Sequence, residues 1–241
     1  MSPAVVQTLI RSEALVAVAV TTAFAGGAWL LRGVTPGGAL AGFLIALAVF
    51  ATSGPGSFAA LVTVFALAWL TTRLGYRRKQ MLGTAEDARG RSAAQVLANL
   101  GAAAGFSVAA AITGHRTLLV AAMAAFAEAA ADTAASECGQ ALSQRAYLVV
   151  SMRSVPAGAN GGISAPGTLA AVVAAAIVST IAAVTHVVPW PALPAIAAAG
   201  VLGTIVDSVL GATLEARGAI GNNGVNFAGT VSAGLLALLL R

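Results

Sequence analysis

Charge is what this sequence has least of. Of its 241 residues only 9% are Asp, Glu, Lys or Arg, against 59% hydrophobic. Soluble domains carry charge on about a quarter of their residues. Thirteen basic and eight acidic side chains cannot clothe a water-facing surface at this length. The scarcity excludes a soluble fold and turns the apolar surface toward lipid. Cysteine is nearly absent too. A single Cys138 rules out a disulfide within the chain and leaves no cysteine cluster for zinc; it reads as a small helix-packing residue. The two histidines, His115 and His186, have no metal-ligand spacing with a neighbour and read as interfacial. There is no Walker lysine motif and no Gly-x-Ser-x-Gly nucleophile elbow. No polar stretch is long enough for a second domain, so residues 1–241 read as one transmembrane domain. The first apolar run follows Arg11 and is long enough to stay as a helix rather than leave as a signal peptide.

What is present is apolar sequence in long runs. Crossing the hydrocarbon takes about 20 such residues. Eight runs qualify: Ala14–Leu31, Gly38–Ser53, Ser57–Gly75, Ala93–Thr113, Thr117–Ser136, Gly167–Val187, Ala192–Thr213 and Val225–Leu240. Only Gly54, Pro55 and Gly56 separate the second from the third, so this pair reads as a helical hairpin that need not cross fully. The expected class is an all-α polytopic transmembrane bundle of seven to eight spans. Its abundant Gly, Ala, Ser and Thr let helix backbones approach closely in lipid. No internal repeat is visible, which weighs against an inverted-repeat transporter.

The net charge is +5. With eight spans and the N-terminus outside, ten basic residues fall inside: Arg32, Arg73, Arg77, Arg78, Lys79, Arg89, Arg91, Arg145, Arg153 and Arg217. Three fall outside: Arg11, Arg116 and Arg241. The positive-inside rule selects this orientation. It puts the polar loops 76–92, 138–166 and 214–224 together in the cytoplasm. Basic residues beside apolar runs meet anionic headgroups, so the expected partners include membrane lipids and no nucleic acid. The run Arg73–Lys79 reads as topogenic. A homo-oligomer stays open.

Four acids lie in or at the ends of apolar runs: Glu128, Asp132, Glu137 and Asp207. A carboxylate in the hydrocarbon costs at least about 2.5 kcal/mol, so by default it marks a functional site. Glu128 and Asp132 are four apart and share a helix face, which Ser136 continues. Glu137 points elsewhere unless the helix has already ended. The segment from Arg153 to Thr168 holds Gly158, Asn160, Gly161, Gly162, Ser164 and Gly167 with two prolines, just before a helix start. Glycines permit close backbone approach. Consecutive backbone N–H groups and a helix N-terminus can cradle phosphate, and Ser164 and Thr168 can cap the helix or bond phosphate. Asp207 and Ser208 put an acid and a hydroxyl near the cytoplasmic end of another run. Asn222, Asn223 and Asn226 open the last helix, either as caps or as amides that contact a nucleotide.

Taken in order, the segments Asp132-Thr-Ala-Ala-Ser-Glu137-Cys-Gly139, Val155–Ser164 with Gly167-Thr168, Asp207-Ser-Val-Leu-Gly211-Ala-Thr213 and Asn222-Asn-Gly-Val-Asn226-Phe227 resemble one integral membrane family. That family contains the plant phytyl-phosphate kinase and was long catalogued as a domain of unknown function. The likeness covers most of the chain from about the second helix onward. The motifs are more distantly similar to those of dolichol kinases and CDP-diacylglycerol synthases. The resemblance implies a Mg²⁺-dependent phosphotransferase that uses CTP and acts on an isoprenoid monophosphate; the expected location is the plasma membrane of a prokaryote, with the site loops cytoplasmic. On that footing Asp132, Glu137 and Asp207 are the expected Mg²⁺ ligands. Arg153, Gly158, Asn160, Gly161, Gly162, Ser164, Thr168 and Ser208 would surround the CTP phosphates, and Asn222, Asn223 and Asn226 the nucleotide or acceptor phosphate. Glu128, about 6 Å deeper at the helical rise, is expected to be structural. A CTP-lipid cytidylyltransferase would use nearly the same residues, and a transporter would use the acids as proton or ion sites.

Overall fold

The structure is a computed structural model that describes residues 3–240, with side-chain surroundings from Glu13 onward. Arg241 lies outside the described residues. Among them, seven helices are long and apolar enough to cross a membrane. In chain order the elements are α1 (Pro3–Leu30), α2 (Pro36–Arg73), the short α3 (Tyr76–Leu82), α4 (Ala93–Thr113), α5 (Thr117–Leu142), strands β1 (Arg145–Leu148), β2 (Ser154–Pro156) and β3 (Gly162–Ile163), then α6 (Ala165–Val184), α7 (Leu193–Leu210) and α8 (Asn222–Leu240). The all-α membrane bundle expected from composition is what forms.

α2 accounts for the difference between eight runs and seven helices. It is folded in two at Gly54, whose φ of 79° and ψ of −179° leave the helix, with Pro55 denying the next turn its N–H. The Phe50 and Phe58 rings stand 5.6 Å apart, whereas eight residues of straight helix span about 12 Å. The foot of the second arm returns to the start of the first: Trp69 Nε1 and Arg73 Nη2 donate to the Leu31 carbonyl at 3.2 and 3.0 Å. Each arm is about 27 Å long at the helical rise, close to a hydrocarbon thickness of about 30 Å. The pair is the hairpin that Gly54-Pro55-Gly56 predicts.

Helix starts are written locally. Thr35 caps α2 by accepting from Gly38 N at 3.1 Å, with Pro36 in the first turn. Ser92 and Gln95 form a capping box on α4. Ser164 caps α6 by accepting from Gly167 N at 3.3 Å. α5 occupies the centre, buried on all sides from Val120 to Ala131, as a helix apolar all round must be. Its alanines bring α4, α6, α7 and α8 close around it.

The connections 74–92, 143–164 and 216–221 gather at one end of the bundle, as the basic residues predict, and Arg116 is at the other. Two of them hold more order than an irregular loop. α3 is a helical turn folded back under the hairpin. Residues 145–163 form a small antiparallel sheet of order β2-β1-β3, with Arg145 opposite Pro156 and Tyr147 opposite Ile163. A further bridge joins Val34 to Arg91 and ties the α1–α2 turn to the start of α4.

Candidate active site

At the loop-bearing end the helices surround a polar cavity of about 320 Å³. Three helix N-termini border it: α4 through Gln95 and Asn99, α6 through Ser164, and α8 through Asn222 and Asn226. Their dipoles favour anions. Opposite them, α5 presents Asp132, Ser136 and Glu137, while α7 presents Asp207 and Ser208. α7 then loosens into a π-helical turn, Gly211–Glu215, which brings Glu215 into the wall. π turns mark functional sites with unusual frequency.

The glycine-rich loop closes one side. Gly158, Asn160, Gly161, Gly162 and Ser164 all line the cavity. Gly161 is pinned against the end of α7. Its φ is +71°, and a Cβ there would sit 2.4 Å from Ala212 Cβ and 2.5 Å from the Ser208 carbonyl oxygen. Only glycine permits this contact, which holds the loop's backbone against the end of α7, next to Asp207.

The carboxylates divide into two kinds. Both oxygens of Glu137 are occupied. Oε1 accepts from Thr72 at 2.8 Å and Oε2 pairs with Lys79 Nζ at 2.5 Å. Lys79 is wholly buried and also donates to the Thr71 and Thr72 carbonyls at the end of α2. It does not face headgroups as the rest of the Arg73–Lys79 run is expected to. It closes the hairpin's last turn against α5. Arg78, donating to the Ser143 carbonyl, ties α3 to the same helix end. Asp132 and Asp207 belong to the cavity. Asp207 Oδ2 is buried without a hydrogen-bond partner. Asp132 lies within electrostatic reach of Arg91 and Glu215, and Asp207 within that of Asp132 and Glu215. Glu128 is 1% exposed and outside the cavity, its Oε1 also unpaired.

Of the other residues singled out in the sequence, Asn222, Asn226 and Ser208 line the cavity. Arg153, Thr168 and Asn223 are exposed and do not. Arg153 closes the β1–β2 turn, its carbonyl accepting from Leu148 N at 3.0 Å, and the residue is exposed outside the cavity. The cation lining the site is Arg91, which precedes α4 and carries no motif in the sequence beyond its place among the inside basic residues. With it come Glu86, Gln95 and Asn99. They form a relay: Gln95 Nε2 donates to both Glu86 oxygens at 3.1 and 3.2 Å, Asn99 Nδ2 donates to the Gln95 carbonyl at 2.8 Å, and Asn226 Nδ2 reaches Asn99 Oδ1 at 3.4 Å. The sequence signal was there in the Ser-x-x-Gln capping box and in two amides four apart on an alanine-rich helix.

Among the described residues no three His, Cys, Asp or Glu side chains form a ready metal cage. Mg²⁺ needs none, because it binds through one or two carboxylates plus substrate phosphates. Asp132 and the unpartnered Asp207 fit that donor set.

Fold and site together define a polytopic membrane protein with a polar, acid-bearing site at one end of its bundle. Residues 19–234 match the model of the integral membrane protein DUF92 family, and the chain belongs to it. It is 29% identical over 180 residues to an uncharacterized membrane protein of Methanocaldococcus jannaschii, covering 75% of this chain and 74% of that one. It is 25% identical over 185 residues to an uncharacterized membrane protein of Synechocystis, covering 75% and 72%. Protein VTE6, chloroplastic, of Arabidopsis thaliana is 22% identical over 227 residues, covering 90% of this chain and 68% of the plant protein. No solved structure matches.

Proposed function

We propose that this protein is a membrane phosphotransferase that uses CTP and Mg²⁺ to convert an isoprenoid monophosphate, phytyl or another prenyl phosphate, into the diphosphate. The observation that carries the reading is the convergence of Asp132, Asp207, the glycine-rich loop and three helix N-termini on one cavity at the loop-bearing end. Membership of the family that contains the plant phytyl-phosphate kinase supports the reaction class. The choice of CTP and of a prenyl acceptor rests on that resemblance.

Phosphoryl transfer asks for positioning and charge neutralisation more than covalent chemistry. An oxygen of the lipid phosphate attacks the γ-phosphorus, the bond from that phosphorus to the β–γ bridging oxygen breaks, and CDP leaves. The attacking oxygen is already ionised, so no strong base is required. The backbone N–H groups from Gly158 to Gly162 and the α6 N-terminus hold the nucleotide phosphates. Arg91 and the Asn99–Asn226 pair receive the acceptor phosphate from the opposite wall. Asp132 and Asp207 would hold Mg²⁺, which when bound neutralises the charge on the donor phosphates. Glu137 holds Lys79 instead. The site faces the cytoplasm, where the positive-inside rule puts the basic loops, in the plasma membrane of a prokaryotic cell.

Purified protein in nanodiscs, given Mg²⁺, a panel of prenyl monophosphates and CTP or ATP, tests the reading by product mass. CDP with a prenyl diphosphate is the expected outcome. Pyrophosphate with a CDP-lipid moves the chain to the cytidylyltransferases, and no nucleotide consumption by folded protein favours a transporter.

A further inference from the structure

The polar cavity does not end at its own walls. Glu86, Arg91, Gln95, Asn99 and Thr133 line it on one side and, on the other, line an apolar crevice between α1, the two arms of α2 and α4. The crevice holds about 90 Å³, and its apolar walls include Phe24, Leu61, Val64 and Leu100. Phe24, Ala28, Phe65 and Trp69 also line a neighbouring groove of about 350 Å³ on the outer face of α1 and the second arm of α2. That groove is flanked by Leu31 and Leu70, both half-exposed on the lipid-facing surface. The junction with the polar cavity is marked by Arg91, and the foot of the crevice by Arg32 and by Arg73, whose guanidinium stacks over Trp69 at 3.7 Å.

From these shared walls we infer that the crevice and groove form the acceptor's tail site. A single apolar chain enters from the bilayer between α1 and the second arm of α2. It lies against Phe24 and Phe65 and delivers its phosphate past Arg91 into the polar cavity. The occupant is the isoprenoid tail of the lipid phosphate, and the inference rests on the proposed phosphotransferase reading. Three features fit that occupant. The walls of the path are chiefly apolar, and its basic residues, Arg32, Arg73 and Arg91, stand at the foot of the crevice and at its junction with the polar cavity, matching a molecule with one anionic end. α1 packs chiefly on α2, so the groove between them can widen without disturbing the central bundle. The hairpin at Gly54 also acquires a role, since its two arms are the walls of the crevice.

Gly42 offers a clean perturbation. It lines the crevice, and a Cβ there meets nothing within 4 Å. Gly42→Leu therefore fills the crevice without forcing the backbone. Gly105 on α4 has the same free space, is exposed and lines none of these cavities, so Gly105→Leu is the control. The probe is a geranylgeranyl monophosphate with a photoreactive diazirine near the tail end, in nanodiscs of ordinary phospholipid. Labelling on α1, α2 and α4 facing the crevice is expected. Unmodified geranylgeranyl monophosphate should compete it away, and Gly42→Leu, unlike Gly105→Leu, should cut it about tenfold. In turnover, Gly42→Leu should raise KM for geranylgeranyl monophosphate by about the same factor and raise that for dimethylallyl monophosphate, whose tail is a single isoprene unit, far less. Labelling spread over the lipid-facing surface, labelling displaced by phospholipid, or equal response of the two variants overturns the tail site. Failure of phosphotransfer with every acceptor refutes the proposed reaction alone, because labelling needs no turnover and still decides the inference.

Discussion

Glu137→Gln removes one charge and almost no volume, yet it should be among the most destabilising changes in the chain. Lys79 is wholly buried. Its ammonium then faces a neutral amide and the Thr71 and Thr72 carbonyls, at 3.2 and 2.7 Å. Removing one partner of a buried pair costs about 3–5 kcal/mol. The carbonyls sit at a helix C-terminus, where a cation gains about 0.3–1 kcal/mol, so the expected net loss is about 2–4 kcal/mol. Lys79→Met should cost a similar amount, leaving Glu137 with the Thr72 hydroxyl alone. The double variant Lys79→Met/Glu137→Gln should recover most of it and lose about 1 kcal/mol or less, because replacing both buried charges by neutral groups is often nearly neutral. Titration with a denaturing detergent in mixed micelles, followed by fluorescence of Trp29, Trp69 and Trp190, measures all three variants. Singles that cost under about 0.5 kcal/mol, or a double variant that costs the sum of the singles, would refute the buried pair. The double variant also separates structure from chemistry. With Glu137 holding the hairpin rather than a metal, a folded double variant keeps its turnover.

Other outcomes follow from the same geometry. Asp132→Asn and Asp207→Asn should each lower turnover by about a hundredfold or more while leaving the unfolding midpoint unchanged or raised, since a buried carboxylate is relieved; turnover within about twofold of the parent removes that residue from the site. Gly161→Ala should push the glycine loop off Ser208 and Ala212, raising KM for the nucleotide more than it lowers stability; φ near +71° alone costs about 1–2 kcal/mol. A Cβ at position 229 on α8 would lie 2.5 Å from Glu128 Oε1 and 3.3 Å from Asp207 Cβ, so Gly229→Ala should destabilise by about 1–3 kcal/mol and respond less in a Glu128→Ala background. Asn99→Ala and Asn226→Ala should raise KM for the lipid phosphate and not for CTP, and an equal rise in both removes the amides from the acceptor side.

The architecture was largely legible because lipid imposes a simple rule. Apolar runs of span length become helices, and Gly54-Pro55 announces the hairpin through missing conformational and hydrogen-bonding options. The gathering of polar loops at one end follows from where the basic residues lie. Asp132, Asp207, Asn222, Asn226 and the loop residues Gly158, Asn160, Gly161, Gly162 and Ser164, which the structure brings to one cavity, were legible as candidates because acids in apolar helices and a glycine-rich stretch before a helix start need a reason to be there. What was not legible depends on direction in space. Glu137 follows the motif, but its helix runs on to Leu142 and turns it toward Lys79. Arg153 is the loop's basic residue, but the small sheet turns it to solvent, while Arg91 arrives from a distant connection through the bridge to Val34. Glu215 enters through a π turn that no periodicity foretells.

The central claim is that this site moves a terminal phosphoryl group onto a lipid phosphate. Transfer of label from CTP marked at the γ-phosphate, compared with CTP marked at the α-phosphate, tests it most directly in the parent protein and in Asp207→Asn. Label from the γ position in a prenyl diphosphate, lost in Asp207→Asn, is the predicted result. Label reaching the lipid from the α position, or transfer undiminished by Asp207→Asn, would contradict it.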